Sequence, residues 1–176
     1  MTADTGGPFI ASGDVAFEDL ADNVALSLDT LAELKRQTRK LPVANPLPGA
    51  QMSSNFGSRI DPFNRRSAFH AGIDFRAARG TPVKATGNGR VVHAGRRGGY
   101  GLMVEIDHGN GITTRYAHLS RILVKQGEKI KTGDTVGKVG STGRSTGPHL
   151  HYEVRRHEKA TNPKRFLQAG REIATL

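Results

Sequence analysis

The first clear pattern along the chain is an apolar stripe with helical spacing. Large apolar side chains recur every three or four positions, at Phe17, Leu20, Val24, Leu28, Leu31 and Leu34. This spacing places them on one face of an amphipathic helix. Asp14 suits the N-cap, acidic residues come early, and basic residues come last, as the helix dipole favours. We therefore predict a helix over residues 14–40.

The segments around this helix differ from it in composition. Residues 1–13 are small and polar and predict a flexible tail, and residues 41–50 contain three prolines and predict a linker. The apolar stripe needs a packing partner. The domain that follows and a partner helix in a coiled coil are both consistent with the sequence.

From residue 51 the pattern changes to short apolar–polar alternations separated by glycine-rich turns. The stretch HGNG, residues 108–111, lies between two such alternations and predicts a β-hairpin. We therefore predict a mainly β fold, with an antiparallel sheet domain over residues 51–167, the N-terminal helix as an extension, and a C-terminal tail at 168–176.

Charge is distributed unevenly between these parts. Residues 1–49 carry four Lys/Arg and seven Asp/Glu, whereas residues 50–176 carry 22 Lys/Arg and nine Asp/Glu, which gives net charges of −3 and +13. Such a basic domain attracts polyanions, either nucleic acid, an anionic cell-wall polymer or a membrane surface, although the charge is also consistent with a role in solubility alone. With 6% aromatic residues and no nucleic-acid-binding motif, we expect no nucleic-acid partner.

The chain has no cysteine, which excludes disulfide and thiolate chemistry. Its first residues lack the basic start and apolar core of a signal peptide. If the protein is exported, we expect the signal or anchor to lie upstream of this sequence.

Histidines provide the candidate chemistry. In GPHLHYEV, residues 147–154, His149 and His151 lie two positions apart, so a strand would point both to one face. Both could bind a metal, the two could have different roles, or the strand could simply have a polar face. His70 and Asp74 would share a face of a strand, with Gly72 leaving room between them. The same spacing is also consistent with a helix, although the surrounding residues favour a strand or a loop. His118 alone is more typical of a structural histidine.

The remaining histidines are predicted to lie outside the site. His108 is most simply a turn residue, and His93 and His157 have the surroundings of surface or strand positions.

Several segments in this order resemble the lysostaphin-type zinc endopeptidases of bacterial cell-wall metabolism. The resemblance covers about residues 50–166, and its motifs are SNFGSRIDPF, FHAGIDF, GTPVKATGNGRVV, GYGLMVEIDHGNGITTRYAHLS, VKQGEKIKTGDTVGKVGSTGRSTGPHLHYEV and the final NP. It implies a twisted antiparallel β-sheet crossed by a groove, and hydrolysis of a peptide bond in peptidoglycan. The location would be the periplasm, the cell envelope or the outside of the cell.

The resemblance also implies a role for each site residue. The motif His-x-x-x-Asp and the second histidine of His-x-His imply that His70, Asp74 and His151 bind one zinc ion. His149 and His118, the histidine of YAHLS, are the implied catalytic pair. All five positions keep the family pattern, which argues against the alternative of a non-hydrolytic binding or activator module. Arg59 and Arg144 are further candidates for substrate contacts.

The acidic helix suggests a second hypothesis. Six carboxylates precede its first lysine, and the domain that follows is basic. The N-terminal segment could fold back over the groove and restrain the enzyme, or it could be part of a coiled-coil stalk. A membrane anchor or coiled-coil partner would then act through a region upstream.

Overall fold

The computed structural model describes residues 12–61 and 65–174. The chain divides into two units, residues 1–38 and residues 39–176. In the first unit, helix α1 spans Ser12–Thr38. The predicted helix is therefore present, but it begins two residues earlier and ends two residues sooner than predicted. Most of the predicted N-terminal tail lies outside the described residues, and the partner of α1 stays a prediction.

Over its described residues, the second unit is built from short strands, one α-helix and a short 3-10 helix at Gly98–Tyr100. In chain order the strands are β1 Gln51–Ser54, β2 Gly57–Ile60, β3 Ser67–His70, β4 Ile73–Arg76, β5 Pro82–Lys84, β6 Gly89–Arg96, β7 Leu102–Gly109, β8 Ile112–Leu119, β9 Arg121–Ile122, β10 Lys129–Ile130, β11 Thr135–Lys138, β12 His149–Arg156 and β13 Lys159–Thr161. Helix α2 follows at Pro163–Ala174. Among the described residues, neither α1 nor α2 is apolar over a length that would span a membrane.

The strands pair antiparallel throughout, which confirms the predicted fold class. The main sheet has the order β1-β4-β12-β8-β7-β6-β10, with β13 on β12; β5-β11-β9 and β2-β3 form two smaller sheets. The predicted hairpin is formed by β7 and β8. Its turn residues Asn110 and Gly111 have φ values of 52° and 70°, which this two-residue turn requires and which Asn and Gly tolerate best.

Strand β12 lies inside the main sheet and has two chemically different faces. Its alternate residues Leu150, Tyr152 and Val154 are fully buried in the apolar core. Because strand side chains alternate, the other face carries His149 and His151. The core thus fixes the strand whose opposite face carries the two histidines.

Helix α2 was not predicted from the sequence, and the predicted domain boundary at residue 167 lies inside it. Asn162 Oδ1 accepts a hydrogen bond from the Lys164 amide at 3.1 Å, and Pro163 occupies the first helical position, which Pro favours. Phe166 and Leu167 pack against the core. This burial stabilises a segment that the sequence interpretation assigned in part to a tail.

His70 and Asp74 do not share one strand, because a turn separates them; of the interpretations of this motif, the loop is the one that the structure supports. His70 ends β3 and Asp74 belongs to β4, and the two strands pair with different partners. Gly72 lies in the turn between them. A Cβ at Gly72 would lie 2.4 Å from the Tyr152 carbonyl oxygen and 3.0 Å from His151 Cε1. The absent side chain therefore lets this turn approach β12.

We predict that Gly72→Ala lowers the free energy of unfolding by about 1–3 kcal/mol, because the new methyl group must displace backbone atoms of β12. Gly147→Ala is the matched control, since a Cβ there would meet nothing within 4 Å. The control should stay within about 1 kcal/mol of the unsubstituted protein. Urea denaturation measures both values, and equal effects would contradict the close approach of this turn to β12.

Candidate active site

Strand register brings the predicted site residues together. His151 on β12 lies opposite Asp74 on β4, and on its other side it lies opposite Ala117 on β8, next to His118. The β3–β4 turn then places His70 beside both. Residues far apart in the chain thus converge at one end of β12.

His70, Asp74 and His151 form a buried cluster that could hold a metal ion. His70 Nε2 lies 3.1 Å from Asp74 Oδ1 and 3.1 Å from His151 Nδ1, and His151 Nδ1 lies 2.8 Å from Asp74 Oδ1. Ligands at zinc–ligand distances of 2.0–2.2 Å in a tetrahedron are roughly 3.4 Å apart. The three atoms therefore need to move apart only slightly to bind such an ion.

The outer ring nitrogens of these two histidines are occupied. His70 Nδ1–H donates to the Asn55 carbonyl at 2.7 Å, and His151 Nε2–H donates to Glu153 Oε1 at 3.1 Å. Because the outer nitrogen of each ring keeps its proton, the inner nitrogen is the one that can give a lone pair to a metal ion, after releasing any proton that it shares with Asp74. Such outer hydrogen bonds are the usual means of orienting metal-binding histidines.

The electrostatics of the cluster favour a positive charge between these side chains. Burial alone would raise the pKa of Asp74, but hydrogen bonds from His151 and His70 and their charges place it well below its usual value. Burial alone would lower the pKa of His151, but hydrogen bonds to Asp74 and Glu153 raise it to about 8. An ionised carboxylate is thus ready for a cation.

His118 and His149 form a second pair beside the cluster, with ring centroids 4.8 Å apart. His118 Nδ1–H donates to the Thr142 carbonyl at 2.8 Å, and His149 Nδ1–H donates to the Gly147 carbonyl at 2.7 Å. Their Nε2 atoms are therefore the ones that remain available. His149 Nε2 lies 4.0 Å from Asp74 Oδ1.

The environment keeps His118 neutral. Burial lowers the pKa of His118 to about 4; the hydrogen bond to Thr142 opposes this effect and the nearby charges of His149 and His151 add to it. At pH 7 its Nε2 is thus a hydrogen-bond acceptor.

The backbone of His118 is in the left-handed region, with φ of 59°. Such conformations cost free energy and persist where the surroundings impose them. Here Thr142 fixes the neighbouring loop: its hydroxyl donates to the Leu119 carbonyl at 2.8 Å and accepts from the Leu102 amide at 2.9 Å. This loop therefore holds the carbonyl that orients the imidazole.

Both histidine pairs line a groove of about 910 Å³, which also includes Arg59 and Arg144. Arg59 donates to Ser54 Oγ, and its Nη2 lies 3.6 Å from Asp74 Oδ2. Arg144 Nη2 donates to both carboxylate oxygens of Asp61, at 2.9 and 2.8 Å. The structure therefore places all seven predicted residues along one groove.

His108 is not a turn residue, contrary to the sequence interpretation. It lies in β7, is 3% exposed, and donates from Nδ1 to the Asn88 carbonyl at 2.8 Å. Its Nε2 lies 2.8 Å from Thr114 Oγ1. Burial lowers its pKa. The turn begins two residues later, so His108 serves the packing of the sheet.

Sequence reasoning missed the polar residues behind His151. Glu153 is fully buried on the same face of β12, and Tyr100 lines the groove and donates to Glu153 Oε1 at 2.7 Å. Burial alone would raise the pKa of Glu153, but the hydrogen bond and charge of His151, with smaller effects of Tyr100 and Arg155, lower it to about 2. The sequence did offer a signal for Glu153: residues 149, 151 and 153 are two positions apart, so a strand places them on the same face.

Comparison with known proteins identifies relatives that are similar in sequence to this chain. Residues 68–163 match the Peptidase family M23. The DD-carboxypeptidase/endopeptidase Mpg of Neisseria meningitidis is 49% identical over 118 residues, 67% of this chain and 27% of that protein. The peptidoglycan DD-endopeptidase ShyA of Vibrio cholerae is 46% identical over 122 residues, 69% of this chain and 28% of that protein. The chain therefore spans little more than a quarter of these two curated relatives.

Solved structures show the same fold. A zinc-containing peptidase from Vibrio cholerae has a TM-score of 0.63 and 38% identity, over 66% of this chain and 37% of that one. The catalytic domain of lysostaphin from Staphylococcus simulans has a TM-score of 0.62 and 34% identity, over 68% of this chain and 92% of that one. The profile match, the relatives and the fold agree, and the chain belongs to the lysostaphin-type peptidase family M23.

Proposed function

We propose that this chain is a zinc-dependent endopeptidase that hydrolyses peptide bonds in bacterial peptidoglycan, within stem-peptide cross-links or bridges. The observation that carries the proposal is the convergence of His70 Nε2, Asp74 Oδ1 and His151 Nδ1 within hydrogen-bonding distance of one another. Two further imidazoles lie beside them in an open groove. This is the constellation that metal-assisted hydrolysis requires.

The donor set fits one zinc ion per chain. Two neutral imidazoles and a carboxylate are ligands that zinc accepts, and three protein ligands leave a position for water. His70, Asp74 and His151 would hold the ion. When bound, zinc lowers the pKa of a water to about 7 and polarises the carbonyl oxygen of a substrate.

His118 and His149 are suited to proton transfer. The Nδ1–H group of each ring donates a hydrogen bond to a backbone carbonyl, so Nε2 is free to accept a proton from the attacking water. The resulting imidazolium can donate a hydrogen bond to the developing oxyanion and then protonate the leaving amine. The backbone carbonyls hold both rings in place during these steps.

Several observations support a peptidoglycan substrate and a location in the periplasm or cell envelope. The relative ShyA is named a peptidoglycan DD-endopeptidase. The charge of +13 on residues 50–176 favours an anionic wall polymer over a neutral one. Arg59 and Arg144 are the proposed substrate contacts, since both line the groove. Arg144 would exchange its partner Asp61 for a substrate carboxylate.

We predict that the zinc-loaded protein solubilises peptidoglycan from purified sacculi, and that later digestion of the glycan strands with a muramidase yields fewer cross-linked and more uncross-linked muropeptides. Mass spectrometry of muropeptides before and after incubation reports both the activity and the bond cleaved. Removal of zinc with a chelator should abolish the conversion, and added zinc should restore it. Zinc binding without any cleavage would contradict the proposal and favour a non-hydrolytic wall-binding or activator module.

We predict that substitutions divide the site into two classes. His70→Ala, Asp74→Ala and His151→Ala should each lose zinc, because each removes a ligand. His118→Ala and His149→Ala should retain zinc but lose about 10²–10⁴-fold in activity, because each removes a proton-transfer group. Metal analysis of the purified variants, alongside dye release from labelled sacculi, measures both properties.

His157→Ala is the matched control for these variants, since His157 is exposed. It should keep zinc and activity. Loss of zinc from the His149 variant equal to that from the His151 variant would overturn the division of roles.

A further inference from the structure

Glu153 is the side chain that contacts His151 from behind. Its Oε1 accepts hydrogen bonds from His151 Nε2 at 3.1 Å and from the Tyr100 hydroxyl at 2.7 Å. The residue is 0% exposed. His70, by contrast, uses a backbone carbonyl for its outer nitrogen. His151 is therefore the predicted zinc ligand whose orientation depends on another side chain.

The second oxygen of Glu153 is also bound. Arg155 Nη1 donates to Oε2 at 2.7 Å, and Arg115 Nη1 lies 3.7 Å from it. With both oxygens occupied, the carboxylate cannot rotate without breaking an ion pair. The position of Oε1 beside His151 is thereby fixed.

This ion-pair network continues across the sheet. Register places Glu153 opposite Arg115, and Arg115 opposite Glu105 on β7. Arg115 Nε donates to Glu105 Oε1 at 2.9 Å, and Arg97 Nη1 donates to Glu105 Oε2 at 2.8 Å. The Tyr100 ring lies 5.7 Å from the Arg115 guanidinium carbon. A row of alternating charges thus runs from Glu153 on β12 through Arg115 on β8 to Glu105 on β7.

Stability alone is a weak reason for such a row. Buried ion pairs often stabilise a fold no better than apolar side chains of the same volume. A carboxylate that accepts the outer proton of a metal-binding histidine, however, fixes its tautomer and raises its ligand strength. The contacts of Glu153 fit this second purpose.

We propose that Glu153 is the positioning residue of His151: it keeps the proton on Nε2 so that Nδ1 faces the zinc site, and Arg115 and Arg155 hold its carboxylate in place. The inference rests on the proposed zinc site. It adds Glu153 to the five residues that the sequence assigned to metal binding and catalysis.

The test compares two isosteric substitutions in the same network. Glu153→Gln replaces one carboxylate oxygen by an NH2 group. If the NH2 group faces the arginines, their positive charges repel it. If it faces His151, it cannot accept a hydrogen bond from the Nε2 proton. We expect about 10–100-fold weaker zinc binding, measured by competition with a chromophoric chelator. Glu105→Gln removes the same charge from the same arginine without touching His151, and should leave the zinc affinity unchanged.

A second measurement applies even if Glu153→Gln folds poorly. In the zinc-loaded unsubstituted protein, nitrogen-15 NMR should show a proton on His151 Nε2 that exchanges slowly with water. Three results would overturn the role of Glu153 but not the zinc site. They are an unchanged zinc affinity in Glu153→Gln, an equal loss of zinc affinity in Glu153→Gln and Glu105→Gln, or a rapidly exchanging Nε2 proton. Absence of zinc binding by the unsubstituted protein would overturn the zinc site as well.

Discussion

The site depends on hydrogen bonds that four histidines donate from the ring nitrogen facing away from the groove. His70, His118 and His149 each donate from Nδ1 to a backbone carbonyl, and His151 donates from Nε2 to Glu153. Each bond fixes a ring plane and keeps a proton on the outer nitrogen, so the opposite nitrogen faces the groove. Four imidazoles are thus held in fixed orientations along the groove.

His149 differs from His70 and His151 in its distance to the Asp74 carboxylate. His70 Nε2 and His151 Nδ1 lie within 3.1 Å of Asp74 Oδ1, whereas His149 Nε2 lies 4.0 Å away. A metal ion held by Asp74 is therefore within reach of the first two nitrogens. His149 lies farther from this carboxylate, and the neutral ring of His118 lies beside that of His149.

Much of this arrangement could be predicted from the sequence. The β7–β8 hairpin followed from Asn110 and Gly111, and the shared face of His149 and His151 followed from strand parity. Local patterns could not show that His70 and Asp74 lie on different strands, because Gly72 approaches β12, a strand distant in sequence. Glu153 was also missed, since its role arises from a cross-strand row of charges that depends on register.

We propose that three ligands hold one zinc ion while two histidines remain free of it. Anomalous diffraction at the zinc absorption edge, from crystals of the zinc-loaded protein, would locate the ion. We expect one peak about 2.0–2.2 Å from His70 Nε2, Asp74 Oδ1 and His151 Nδ1. A peak bonded to His118 or His149, or no peak within the groove of protein that carries zinc, would contradict it.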